Sequence, residues 1–282
     1  MVYVENPHPR LVRDPNRARP GDLAATLTEA LHRVREAGPF NPVDLTGVDA
    51  IRPVTFSFFP MLVVPDSDAG VAELVDAFVE AGSRGVDVYQ ATREDLIERM
   101  VSRTLAGVSP STHFTTLSFH DTMNCTTTRQ GAVNVERDPK DRLPAIVSLS
   151  NRGDHDGEPR ADDPVVTMAP DRLRVLAEAH RTAFEAADPH DVQLNQPYLG
   201  SQEIISAGAR FRQLAPQAER AGVTLDAVQG EFLRELLLGA ENAAHISRPG
   251  GDSPDADPDH VDRIARSCMA AWATYREQRA GS

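Results

Sequence analysis

The sequence predicts an α/β protein, built as a three-layer α/β/α sandwich around a mixed, mostly parallel sheet. Two observations carry that prediction. Helical and extended patterns alternate along most of the chain, the order that crossover-connected strands produce. Several extended runs, residues 114–117 and 143–150 among them, are continuously apolar or β-branched, and each gives way to a polar loop, as buried strands do on reaching the edge of a sheet.

From 22 to 37 the apolar side chains Leu23, Leu27, Ala30, Leu31 and Val34 recur at helical spacing, and Gly38-Pro39 stops the helix. Residues 54–64 are rich in Phe and Val and read as extended, with Pro60 arguing against an uninterrupted central strand. A turn at 66–70, a helix over 71–81, an extended 86–89 and a helix over 93–105 follow. The strand at 114–117 runs out into Ser118, Phe119, His120, Asp121, Thr122, Met123 and Asn124, polar groups delivered to the carboxyl edge of the sheet, where open α/β folds place their ligands. A second buried strand, 143–150, feeds the loop 151–159, and a helix over 170–187 turns Leu173, Val175, Leu176 and Ala179 inward. A strand at 191–194 leads into Asn195-Gln196-Pro197-Tyr198-Leu199-Gly200. The strand at 225–232 passes into a helix over 233–244, and Gly230 marks a close approach of backbone. Residues 247–260, rich in Pro, Gly, Ser and Asp, read as a linker between a single catalytic domain, 1–246, and a C-terminal helix, 261–282, that packs Ile264, Met269, Trp272 and Tyr275 onto it.

Composition narrows the partners. With 42 acidic against 29 basic residues the formal charge is −13, a field that repels polyanions and anionic membrane surfaces, so nucleic acid and membrane are not expected partners. Cys125 and Cys268 lie too far apart for metal-ligand spacing and are too few for a disulfide scaffold, which suits a reducing cytosol. There is no apolar run of roughly 20 residues, and Met1 is followed by Val-Tyr-Val-Glu rather than a basic then apolar leader, so a cytoplasmic location is expected.

Four segments, in order, carry a resemblance: R-L-V-R-D-P-N-R from Arg10, S-L-S-N-R-G-D-H-D-G from Ser148, L-N-Q-P-Y-L-G from Leu194 and V-Q-G-E-F-L-R-E-L from Val228. Their order resembles the N-formylglutamate amidohydrolase family, which is similar in fold to the zinc carboxypeptidases and therefore implies a phosphorylase/hydrolase-like sandwich. The resemblance implies that Asn16 and Arg17 hold a substrate carboxylate, a task suited to the planar guanidinium fork. It also implies Asn151 and Arg152 as further substrate contacts, Asn195 and Tyr198 as walls of the pocket, Gly200 as a point of close approach, and Gln229 beside the general base Glu231. Zinc is the implied cofactor, held by His120 and Asp121 with His8 as a further ligand. The family shows D-x-H-S/T-M where this chain has F-H-D-T-M, and its amino-terminal P-H-S-G segment has no counterpart beyond Asn6-Pro7-His8-Pro9. Asp154, His155, Asp156 and Glu158 form another cluster of potential cation ligands, weighed here against a solvated acidic loop.

The expected activity is hydrolysis of the C–N amide bond of a small N-formyl or N-acyl amino acid, with Arg17 and Arg152 on the carboxylate, His120 and Asp121 on a metal, and Glu231 activating water. The alternative is a catalytically degenerate relative that binds a small carboxylate or a protein partner without metal. Metal-free hydrolysis with Asp121 and Glu231 as paired carboxylates is a third possibility.

Overall fold

A computed structural model of the chain describes residues 2–6, 8–55, 58–109, 111–126, 135–248 and 254–280. They fall into two compact units, one formed by Met1–Arg103 with Thr126–Val135 and the other by Thr104–Cys125 with Glu136–Ser282.

The first unit is helical. Asp22 caps α1 (Leu23–Ala37), its carboxylate accepting from the Ala25 N–H at 2.9 Å, and Ser67 caps α2 (Asp68–Arg84) through Gly70 N–H. Leu27, Ala30, Leu31 and Val34 of α1 pack with Val71 and Val75 of α2 and with Val43, Leu45, Ile51 and Val54. The extended stretch expected at 54–64 reduces to an isolated bridge between Val54 and Pro60, and positions 56–57 lie outside the described residues. The extended 86–89 is instead the first turn of α3 (Val86–Leu105). A strand would send Val86 and Val88 to one face, but here Val86 is fully buried and Val88 is 56% exposed, which a helical turn allows.

The second unit carries the predicted α/β layer. Its strands are β1 (His113–Thr122), β4 (Val147–Ser150), β5 (Val192–Leu194) and β6 (Thr224–Leu233), after a two-residue ribbon of β2 (Cys125–Thr126) and β3 (Val135–Glu136) is set apart. The sheet order is β1-β6-β4-β5; β1 and β6 are parallel, β4 and β5 are parallel, and β4 meets β6 antiparallel. On one face lie α4 (Pro170–Ala183) and α8 (Pro258–Ala280), whose Leu173, Leu176 and Tyr275 join Val147, Leu149, Val228 and Phe232 in one core. On the other lies α5 (Gln202–Ala221). The mixed, mostly parallel α/β/α arrangement is therefore present.

Boundaries differ where local pattern is weakest. β1 runs on through His120 to Thr122 instead of ending at Leu117, and α4 stops at Ala183. The helix expected over 233–244 is two short ones, α6 (Arg234–Leu238) and α7 (Ala240–Ile246), broken at Gly239, whose φ of 78° suits glycine. The linker positions 249–253 lie outside the described residues, and α8 leaves Met269 61% exposed while Trp272 and Tyr275 pack inward. Among the described residues no helix is long and apolar enough to cross a membrane.

A buried charge fixes the helical layer to the sheet. Asp226, 1% exposed on β6, accepts two bonds from Arg172 of α4, at 2.8 and 2.6 Å, and one from Arg279 of α8 at 3.4 Å. Removing the carboxylate leaves two partly buried guanidinium groups without their counterion. Asp226→Ala is expected to lower unfolding free energy by about 3 kcal/mol in urea titration, the low end for a broken buried pair. A loss under about 1 kcal/mol would show that the clamp does not hold the layers.

His180 sits in this core among Phe184, Phe232 and Trp272, with Nδ1 2.8 Å from the Leu176 carbonyl oxygen. Burial holds its pKa below the ordinary imidazole value, against the raising effect of the Leu176 bond. The folded state therefore keeps it neutral, while the unfolded chain takes a proton near pH 6.5. Its share of stability is complete above that value and falls as pH drops below it. In His180→Gln the decline in melting temperature from pH 6.5 to pH 5 should be shallower than in the parent; parallel curves would assign the acid lability to other groups.

Candidate active site

Successive side chains of a strand point to opposite faces of a sheet, so a two-residue rhythm decides which face each residue reaches. On β1 that rhythm sends Ser118, His120 and Thr122 one way and Leu117, Phe119 and Asp121 the other. On β6 it separates Gln229 and Glu231 from Val228, Gly230 and Phe232; on β4, Ser148 and Ser150 from Val147 and Leu149; on β5, Gln193 from Val192 and Leu194. The register then collects the polar members. Ser118 lies beside Gln229, and Gln229 beside Ser150; in the next row His120 lies beside Glu231, Glu231 beside Ser148, and Ser148 beside Gln193. Val147, Leu149, Val192, Leu194, Val228 and Phe232 form the wall that α4 and α8 cover, while Leu117 and Phe119 of β1 stay exposed, Phe119 stacked on Phe232 at 5.0 Å.

α5 brings Ser201 and Glu203 onto the polar face. The Ser118 hydroxyl donates to the Glu203 carboxylate and lies 2.8 Å from Nε2 of His120, which is itself 3.6 Å from Glu203 Oε2. Gln229 donates from Nε2 to Glu231 Oε2 at 3.1 Å and accepts from the Ser201 backbone N–H at 2.7 Å. Ser150 Oγ donates to the Tyr198 carbonyl at 2.7 Å, and the Tyr198 hydroxyl accepts from Arg137 Nη2 at 2.7 Å, with the guanidinium 5.6 Å from the ring centroid. Burial pushes the Tyr198 phenol up; Arg137 opposes this, and the charge of Glu231 adds to it. Glu203 and Glu231 are only 8% and 7% exposed, and the hydroxyls of Ser148 and Ser201 are buried without a hydrogen-bond partner among the described residues. Carboxylates and hydroxyls removed from water cost several kcal/mol unless something meets them, so a polar layer of this density is a candidate site.

The implied zinc set does not form. His120 and Asp121 are consecutive residues within β1 and leave it on opposite faces, Asp121 pairing with Arg234, so one ion cannot take both. His8 lies in the first unit, exposed, with its ring against Gly85. Among the described residues no three His, Cys, Asp or Glu side chains converge on one point. The same division of faces parts Asp121 from Glu231 as a carboxylate pair.

Asn16 and Arg17 also lie in the first unit, whose basic loop is neutralised from within. Arg10 grips Asp14 at 2.9 and 2.5 Å, Arg13 pairs with Asp87 and donates to Gln90 at 2.7 Å, and Arg17 Nε is 2.6 Å from Asp49. The Asn16 N–H donates to Asp14 at 3.0 Å. In the second unit Arg152 is paired with Asp163 at 2.9 Å.

Asn151 and Asn195 act on the loops themselves. The Asn151 N–H donates to Asn195 Oδ1, and the Asn195 amide donates to Asn151 Oδ1 and to the Asp154 carbonyl. Asn151 Nδ2 in turn reaches the Gly157 and Met168 carbonyls, so both buried amides are occupied in tying the loop after β4 to the loop after β5. Gly200 has φ 108°, and a Cβ there would come 2.2 Å from Ile204 Cδ1; glycine lets the chain turn from Tyr198 straight into α5. The acidic loop closes on itself, with Asp154 accepting from the Asp156 and Glu158 N–H groups and Glu158 paired with Arg174.

Tyr198, Gln229, Glu231 and His120 are thus brought to the polar face of the second unit. Sequence reasoning gives no role to Ser118, Arg137, Ser148, Ser201 or Glu203. The available signal is the alternation itself, S-F-H-D-T, S-L-S and Q-G-E, in which polar residues recur at two-residue spacing within strands otherwise apolar. Comparison with protein-family models, with curated proteins and with solved structures yields no match to this chain.

Proposed function

We propose that the chain hydrolyses the C–N amide bond of a small N-formyl or N-acyl amino acid, in the cytoplasm, with the polar face of the sheet as its active site. The observation that carries this reading is Glu231, buried at the centre of that face, oriented by Gln229 and electrostatically coupled to Tyr198. A carboxylate withdrawn from water and held in one orientation is suited to general-base work at neutral pH. In this reading Glu231 takes a proton from the attacking water and returns it to the leaving nitrogen. Arg137, laid against the Tyr198 ring, is the guanidinium that pairs the substrate carboxylate, in place of Arg17. No step is assigned to a metal, because the His120 and Asp121 side chains part at the strand.

That same division favours a second reading, in which the face binds a small carboxylate without turning it over. Both are tested together by incubating the protein with a panel of N-formyl and N-acyl acidic amino acids, following product by mass spectrometry and binding by thermal shift. Hydrolysis is expected, reduced at least about 100-fold in Glu231→Gln with melting temperature preserved, in line with the loss of a general base. Binding without product supports the second reading; neither binding nor product sinks both.

A further inference from the structure

Within the polar face one hydroxyl is placed unlike the others. Ser118 Oγ lies between two groups that can exchange protons with it, the Glu203 carboxylate and Nε2 of His120 at 2.8 Å. A serine hydroxyl has one hydrogen. With that hydrogen directed to Glu203, the contact with His120 requires an Nε2–H pointing at Oγ, so the oxygen faces a base on one side and a donor on the other. A hydroxyl within hydrogen-bond reach of a base that is itself held in position is the arrangement of an activated nucleophile. Two more hydroxyls support it. Ser148 and Ser201 are buried without partners among the described residues; Ser148 stands in the row of His120 and Glu231, and Ser201 is linked through its N–H to Gln229, the neighbour of Ser118 in register.

We propose that Ser118 is a catalytic nucleophile that accepts the acyl group of the substrate, with Glu203 as its base, His120 as the residue that positions Oγ, and Ser148 and Ser201 as donors to the acyl oxygen. This rests on the hydrolytic reading of the face but replaces direct attack by water with two steps, in which Glu203 rather than Glu231 protonates the leaving nitrogen. In the first step Oγ bonds to the acyl carbon as its proton passes to Glu203; the C–N bond breaks and the leaving nitrogen takes that proton from Glu203. In the second, water adds to the ester carbon and gives a proton to Glu231; the C–Oγ bond breaks, the acid departs, and the proton from Glu231 returns to Oγ. Glu231 thereby serves the water step, and Glu203 the serine step.

The test is covalent labelling of the full chain, read by intact mass and peptide mapping, with a fluorophosphonate and with p-nitrophenyl acetate as probes. One adduct per chain on the peptide carrying Ser118 is expected, absent in Ser118→Ala and slowed at least about 10-fold in Glu203→Gln. The acetyl adduct should persist longest in Glu231→Gln, which lacks the base for deacylation. If Ser118→Ala is poorly folded, Ser118→Cys supplies the control: its thiol should be alkylated by iodoacetamide faster than Cys125 or Cys268, and more slowly after Glu203→Gln. No adduct on Ser118 in the parent protein, or labelling of the chain undiminished in Ser118→Ala, overturns the proposal. Amide turnover without an adduct leaves direct attack by water at Glu231 in place of the serine step. An adduct without turnover of any amide in the panel keeps the nucleophile and removes the amide substrate.

Discussion

The second unit depends on the register of β6 between β1 and β4. A strand shows its neighbours one face at a time, and β6 reads polar and apolar in strict alternation from Val228 to Phe232. Because β1 and β4 carry the same alternation at matching positions, one pairing builds an apolar wall for α4 and α8 and a polar floor beneath α5. Burial of Val228, Phe232, Val147 and Leu149 supplies the driving force, roughly 1.5–3 kcal/mol for each large side chain. The polar floor has no such return, and it holds together through the bonds of Gln229 to Glu231 and Ser201, and of Ser118 to Glu203. Buried polar networks of this kind are stable when their members are satisfied and costly when they are not.

The two faces answer different demands. On the apolar side Asp226 is neutralised by arginines from both covering helices, which it docks, and Asp121 is paired with Arg234. On the polar side Glu203 accepts from the Ser118 hydroxyl and lies 3.6 Å from His120 Nε2, and Glu231 accepts from the Gln229 amide.

How much of this was legible follows from the range of each signal. The helix of Leu23–Ala37 is written locally, in a cap at Asp22 and a face repeating at three and four. All four strands of the sheet are likewise legible, two of them, 114–117 and 143–150, as apolar runs, although β4 itself is only Val147–Ser150. V-D-V-Y at 86–89 fits strand alternation and a helical first turn equally, and only the exposure of Val88 in the folded chain decides. The candidate site was half legible. Tyr198, Gln229 and Glu231 stand in segments whose order can be read, whereas Glu203 meets Ser118 across 85 residues, a contact no local pattern announces. Treating 118–124 as a loop placed His120 and Asp121 on one ion; once β1 continues to Thr122, consecutive residues must diverge. The R-x-x-R-D-P-N-R loop suggests anion binding by composition, but its arginines close on Asp14, Asp87 and Asp49, partners that only the fold supplies.

Gly200 carries a consequence beyond its turn. It sits between Tyr198, whose carbonyl is held by Ser150, and Glu203, which is held by Ser118, and its contact with Ile204 leaves no space for a side chain. Tyr198 and Glu203 of α5 are therefore not independently adjustable: a shift of one transmits to the other through the four residues between them. A side chain at position 200 would therefore displace Tyr198 and Glu203 together, whereas Arg137 and Gln193 lie outside this hinge.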